Sequence, residues 1–428
     1  MQPKQRLMAN HNFVSGARWL RLAFLFSALA MLSLIAACGG NGSSTTTTTS
    51  GLKHRAFISN TYSGNLQIVD TQNDTTAFTQ QTTNSAGQIV PGVPVTVSVA
   101  STVTFEVESP NNAITLAYDP GTLALYFVAN PTETVSGNAT PSSAVSMALF
   151  SPDSSTVYAA EPNLPVAGSR SGGVEVFAAS TFATTTSYDV PSARYIALSP
   201  SGQYLLVFAN NSDSLFLIDL QAATVAPVEI PGFARPINAF FSSDSNTAYV
   251  LNCGPECGSS GAASVAFFDI PSQTITATVP VGGASAGLLN GTTLYVAGSP
   301  VPPGTTSTYD AVNVGNMTRL TANSVPIGDG FHTTMALAQN NKLYIGATTC
   351  SNTVTGCLSV VNVMTNTADA PLPPRGAITS LLAITNRDVV YAIEGGRMNI
   401  YDTDTDTLQG TQITFTGALY SIVQVDKN

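Results

Sequence analysis

A short β-rich segment with an aromatic or apolar residue at its centre returns eight times along this chain, at Phe57, Phe105, Tyr158, Leu206, Tyr249, Tyr295, Tyr344 and Tyr391, at intervals of 43 to 53 residues. A repeat of this length is one supersecondary unit that cannot bury its hydrophobic face alone, so neighbouring units must stack. That requirement narrows the fold before any composition is considered.

Residues 192–232 show the order within a unit most plainly. An apolar strand, Tyr195-Ile196-Ala197-Leu198, meets the turn Ser199-Pro200-Ser201-Gly202. A second strand runs from Tyr204 to Phe208, a third from Leu215 to Asp219, and a fourth ends at Ile230-Pro231-Gly232. Third strands share an ending: Gln67-Ile68-Val69-Asp70, Leu217-Ile218-Asp219, Phe267-Phe268-Asp269 and Asn399-Ile400-Tyr401-Asp402. Asn290-Gly291 falls between two apolar strands, where a tight hairpin wants positive φ. No segment after the first 40 or so residues carries a helical period. A strand-only period in the forties is the size of one propeller blade. The reading is all-β, a β-propeller of four-stranded antiparallel blades.

The last segment, Ala418 to Val425, reads as a first strand with nothing after it, whereas Arg55 to Asn60 reads as a second strand with nothing before it. Together they complete one composite blade and leave no open sheet edge. The count is then eight. Residues 88–142 are irregular, and if they are an insertion the count falls to seven.

These repeats resemble the YVTN-type β-propellers of bacterial surface and periplasmic proteins. The wording of the chain, including Ala248-Tyr249-Val250-Leu251-Asn252-Cys253-Gly254-Pro255-Glu256-Cys257, is similar to a group of acidobacterial propeller lipoproteins. The resemblance implies an architecture and no particular reaction.

The N-terminus reads as an export signal. Lys4, Arg6, Arg18 and Arg21 precede an apolar run from Leu22 to Ala37 that ends in small residues. The run is short for a membrane span, which takes roughly 20 apolar residues. Ile35-Ala36-Ala37-Cys38 resembles the lipobox of bacterial lipoproteins, which implies lipidation at Cys38, palmitate included. Gly39 in the next position implies sorting to the outer membrane by the same resemblance. The organisation expected is a signal peptide over 1–37, a lipidated cysteine and Ser/Thr-rich tether over 38–51, and the propeller over 52–428. The membrane, reached through the N-terminal lipid, is one expected partner, and an envelope protein or glycan is another.

Only 9% of residues are charged while 44% are hydrophobic, which excludes disorder. A net charge of −10 argues against nucleic acid, whose phosphates need clustered Lys and Arg. Beyond Cys38 there are two close cysteine pairs, Cys253 with Cys257 and Cys350 with Cys357. In an oxidising compartment these are expected as disulfides. Zinc is the rival, but the spacings are not those of a zinc finger and no histidine adjoins either pair. No cofactor or metal is called for.

In a propeller the loops between second and third strands share one face with the loops leading into first strands. Here that face is elaborated, through 161–173, 252–263, 299–308 and 348–356. Arg194, Arg235, His332 and Arg375 fall at or near the starts of first strands, in a chain with only 15 Lys and Arg. They suggest a cationic cluster at the channel mouth, suited to a carboxylate, phosphate or sulfated sugar. The competing account is that each arginine ties down a neighbouring loop.

Two motifs carry less than their patterns suggest. Gly283-Ala284-Ser285-Ala286-Gly287 fits the G-x-S-x-G nucleophile pattern, but that chemistry needs a strand-to-helix elbow and here it leads into a strand. Asp402-Thr403-Asp404-Thr405-Asp406 suggests a calcium loop, yet Thr407 stands where the glycine belongs and Ile413 where the closing glutamate belongs. A solvated hairpin turn accounts for it better.

The functional expectation is an envelope binding or scaffold module. One alternative is a lactonase-like hydrolase, since the YVTN repeat resembles the propeller of bacterial 6-phosphogluconolactonase-like proteins; His332 or Glu161 would then be the acid or base. Another is a purely structural spacer.

Overall fold

The computed structural model describes residues 49–426, apart from 79–81, 84–87, 91–93, 100–101, 167–170, 301–306, 351–354 and 371. The expected signal, Cys38 and nearly all of the tether lie outside the described residues.

Eight antiparallel sheets form eight blades. Blade 1 is the composite: Leu419–Gln424 is its inner strand, followed outwards by Arg55–Asn60, Asn65–Asp70 and Thr75–Thr76. The inner strands of blades 2 to 8 are Phe105–Glu108, Met147–Phe150, Ala193–Leu198, Pro236–Phe241, Ala286–Asn290, His332–Leu337 and Ile378–Ala383. Within each of these blades the strands follow in sequence order from the channel to the rim.

The core shows why the sheets close on themselves. Its buried apolar residues fall into eight clusters, one for every pair of adjacent blades, including blade 8 against blade 1. An open row of eight blades would have only seven such interfaces. Strand alternation builds them: in blade 4, Leu206 and Phe208 face blade 5 while Leu205 and Val207 face blade 3.

The repeated central residue of the second strands has one job throughout. Phe57, Tyr158, Leu206, Tyr249, Tyr295, Tyr344 and Tyr391 each sit third in a second strand and pack toward the following blade. Phe105 is the exception, because it lies on the inner strand of blade 2. The equivalent residue is Leu116, third in Ile114–Asp119 and packed against blade 3. The cause of the irregular spacing is an insertion before the blade. It holds a two-stranded sheet, Thr82–Thr83 with Ile89–Val90, and a strand, Thr96–Ser98, that returns to pair with Asn65–Asp70. The insertion lengthens blade 1 and leaves blade 2 intact, so the count is eight rather than seven.

The shared aspartate ending third strands is turn chemistry. Asp70, Asp219, Asp269 and Asp402 each accept a backbone N–H two or three residues on, from Gln72, Gln221, Ser272 and Asp404. Asp402 thus spends its carboxylate on the turn, and Asp406 spends its own on Lys342 and Tyr344 of the preceding blade. In blade 6 the two-residue loop is Gly291-Thr292, with Gly291 at φ 57°, so glycine opens the hairpin rather than following its first residue.

Candidate functional site

A cavity of about 490 Å³ opens where the inner strands begin. Its walls come from five consecutive blades: Met147, Arg194 with Tyr195, Arg235 through Asn238, Ser285 through Gly287, and Phe331 with Thr333. Because inner strands encircle the axis, a space touching five of them is the mouth of the channel. Its volume falls within the roughly 300–1,000 Å³ of small-molecule sites.

The structure brings together two of the four basic residues singled out above. Arg194 lies exposed over the Tyr195 ring, 4.9 Å from its centroid, and donates Nη1–H to Asn210 Oδ1 at 3.1 Å. Arg235 approaches Asp213 Oδ1 at 3.9 Å, but its buried Nε–H has no hydrogen-bond partner. An unpaired buried donor is costly, the more so on a charged group. Arg235 is also held at φ 52°, in the left-handed region an L-residue adopts at a cost, as is Ser192 at φ 55° directly before the inner strand of blade 4. Strain and an unspent donor coincide on one residue of the mouth.

His332 and Arg375 are placed elsewhere, so the four-cation cluster narrows to a pair. His332 is wholly buried, although Phe331 and Thr333 on either side line the cavity. Burial pulls its imidazole down to about 4, with the Gly328 backbone and Asp329 opposing only in part, so it is neutral at physiological pH. Arg375 is exposed beside Glu394 and Tyr401 in blade 8 and does not line the cavity.

Glu161, the other candidate acid or base, is a loop anchor. It accepts the N–H and hydroxyl of Ser143, at 2.6 and 3.0 Å, in the segment leading into blade 3, while Glu175 accepts the Ser142 N–H at 2.9 Å. Similar anchors hold Ala234 through Asn252, Gly282 through Asp310 and Gly328 through Ser359. Burial, then the neighbouring Glu175, pushes Glu161 up to about 8.

Glu256 is a group that sequence reasoning missed. Both cysteine pairs form disulfides, with Cα–Cα separations of 5.6 Å for Cys253–Cys257 and 5.8 Å for Cys350–Cys357. The first closes a single 3₁₀ turn, Gly254–Cys257, that sets Glu256 and Cys257 into the wall of the mouth. Glu256 Oε2 accepts the Ser299 N–H at 2.8 Å. Burial raises its carboxyl above the usual range, against the pull of Ser299 and the Ser285 hydroxyl. The available signal was an acid enclosed by a short cysteine loop on the elaborated face.

The mouth is therefore rich in donors. Asn210 and Asn238 commit their side-chain oxygens, to Arg194 and to the Ala239 N–H, so what each chiefly offers the cavity is an amide NH₂. Ser285, from the G-x-S-x-G match, lines the same wall and leads directly into the strand Ala286–Asn290.

Comparison with known proteins bears on the fold. No family model and no curated protein matches the chain. Among solved structures it is similar to dihydro-heme d1 dehydrogenase NirN in complex with DHE, with 12% identity over 87% of this chain and 76% of that one, at a TM-score of 0.62. It is similar to a functionally unknown protein from Desulfotomaculum acetoxidans, with 14% identity over 74% and 94% of the two chains and a TM-score of 0.51. The β-propeller domain of Myceliophteria thermophila Cps50 (Swd1) aligns with 10% identity over 70% and 96%, also at 0.51. At these identities the likeness is one of fold.

Proposed function

We propose that this chain is an exported, lipid-anchored β-propeller of the bacterial outer membrane whose channel mouth binds a small anionic ligand. The anchoring part of the reading is supported by the basic and apolar leader, by the lipobox-like Ile35-Ala36-Ala37-Cys38 and by the polar tether. The YVTN-like wording of the repeats agrees with an envelope location. The binding part is carried by one observation: Arg194 and Arg235 line the same cavity, and Arg235 approaches Asp213 only to 3.9 Å. A carboxylate or sulfate seated between them would bind the accessible edge of a planar guanidinium. NirN was solved with DHE bound, but at 12% identity that ligand is not carried over.

Titrating the whole mature chain with carboxylated and sulfated sugars tests the mouth. Saturable binding that Arg194→Gln and Arg235→Gln each weaken about tenfold is the expected result. Binding unaffected by either change would refute the reading. Incorporation of labelled palmitate that is lost in Cys38→Ser tests the anchor separately. A hydrolytic alternative would rest on Glu256, the carboxyl that the mouth does hold, in place of His332 and Glu161.

A further inference from the structure

Below the mouth lies a second space, of about 300 Å³, lined by the inner strands of blades 3, 4 and 5. It shares Met147 and Asn238 with the mouth, so the two spaces adjoin across these side chains. Apart from Asn238 its walls are apolar, with Leu149, Leu198 and Phe240 only partly buried by the blades themselves. Inner strands of four to six residues span roughly 13–20 Å, so the channel passes from a cationic, donor-rich rim to an oily shaft within one small-ligand length. A short polar anion would satisfy the rim and leave the shaft in contact with water.

We propose that the ligand is an amphiphilic carboxylic acid, its carboxylate on Arg194 and Arg235 and its hydrocarbon tail along Leu149, Leu198 and Phe240. The proposal rests on the anion-binding reading of the mouth and adds the class of molecule. Two features of the rim agree with it. The cations stand at strand starts and the apolar residues at strand ends, which matches a molecule with one charged end. Glu256, the carboxyl on the same wall, already has its Oε2 engaged by the Ser299 N–H, so that lone pair is turned away from the incoming head group.

The test titrates the whole mature chain carrying Cys38→Ser, so that no lipid of its own competes, with acetate, hexanoate, laurate, glucuronate and the neutral lauryl maltoside. Affinity should rise about fourfold for each added methylene until the shaft is full. Laurate should weaken about tenfold with Arg194→Gln and likewise with Arg235→Gln. It should also weaken with Leu149→Asn, or with Leu198→Gln if the first variant loses its β-sheet circular dichroism. Glucuronate or acetate binding as tightly as laurate would overturn the amphiphile and leave the anion site standing. Lauryl maltoside equalling laurate, or laurate indifferent to the arginines, would overturn it as unspecific adsorption. Failure of every carboxylate would overturn both readings.

Discussion

Arg55 grips Asp426 from both ends of its guanidinium, Nε to Oδ2 at 2.6 Å and Nη2 to Oδ1 at 3.0 Å, joining the start of the first blade strand in the chain to the residues just past the last. Its remaining Nη1 reaches Glu133 at 2.7 Å and the Asn130 carbonyl at 2.8 Å in blade 2. With Arg55 side-chain exposure at 9% and Glu133 at 3%, removing the arginine leaves a buried carboxylate without its cation, held among the described residues only by the Ser50 N–H and hydroxyl. Arg55→Ala should cost about 3 kcal/mol, since breaking a buried pair is far worse than never having had it. Asp426→Asn, on a residue that is more exposed, should cost less. Chemical denaturation of the two variants checks the order, and an equal, negligible effect would show that the hydrophobic clusters close the ring unaided.

Much of this architecture was legible because it is periodic. Alternation, the Asp-ended third strands and the orphan strands at 55–60 and 418–425 each state a local requirement that only a closed ring of blades meets. Phe105 misled because an insertion shifted the spacing, and spacing alone cannot distinguish an inner strand from a second one. His332 misled for a different reason. Its position in the inner strand is filled by Val145, Ala193, Ile378 and Leu419 in other blades, all of them buried, so strand phase outweighed residue type. Glu256 was legible only as an acid inside a short cysteine loop, because what matters is where the disulfide-closed turn points, and that is a property of three dimensions.

Glu106 occupies another such buried position, where blades 3, 4, 5, 8 and 1 carry Ala148, Ile196, Ala239, Leu381 and Ile422. Neither of its carboxyl oxygens completes a hydrogen bond, and burial pushes it up to about 8 against a weak pull from Ser421. Because its folded value lies above the ordinary 4.5, the native state keeps a proton that the unfolded chain has lost. Its contribution to stability is therefore full below about pH 4.5 and is lost as pH rises through about 8. Glu161, raised to about 8 as well, adds to the same slope. Glu106→Leu should leave stability nearly unchanged at acid pH and raise it on the order of 3 kcal/mol in mildly alkaline buffer. Melting temperatures of both proteins across that range decide it; parallel curves would mean Glu106 is not the titrating group.

The Cys253–Cys257 bridge has a local reach that can be measured apart from global stability. Closing so short a loop contributes roughly 2 kcal/mol in the chain-entropy model. Its structural consequence is the placement of Glu256 against the Ser299 N–H. Cys253→Ala with Cys257→Ala should lower the melting temperature and speed amide exchange at Ser299, while amides of the distant strand Thr156–Glu161 keep their protection. Uniform acceleration across the blades would show that the bridge supports the whole ring and not the mouth.

Arg235 offers the sharpest separation between a structural and a functional arginine. If it served to fasten loops, its partners would be neighbouring carbonyls or a close carboxylate; instead it has an ion pair stretched to 3.9 Å and an unpaired Nε. Its φ of 52° costs an L-residue roughly 1–2 kcal/mol relative to glycine, whereas glycine pays back about 0.5–1 kcal/mol in unfolded-state entropy. Arg235→Gly should therefore be neutral to mildly stabilising, by roughly 0–1.5 kcal/mol, while weakening carboxylate binding at the mouth about tenfold. A substitution that relieves strain and weakens binding in one step marks a residue retained for its ligand. Loss of more than about 2 kcal/mol on denaturation would instead assign Arg235 to the scaffold.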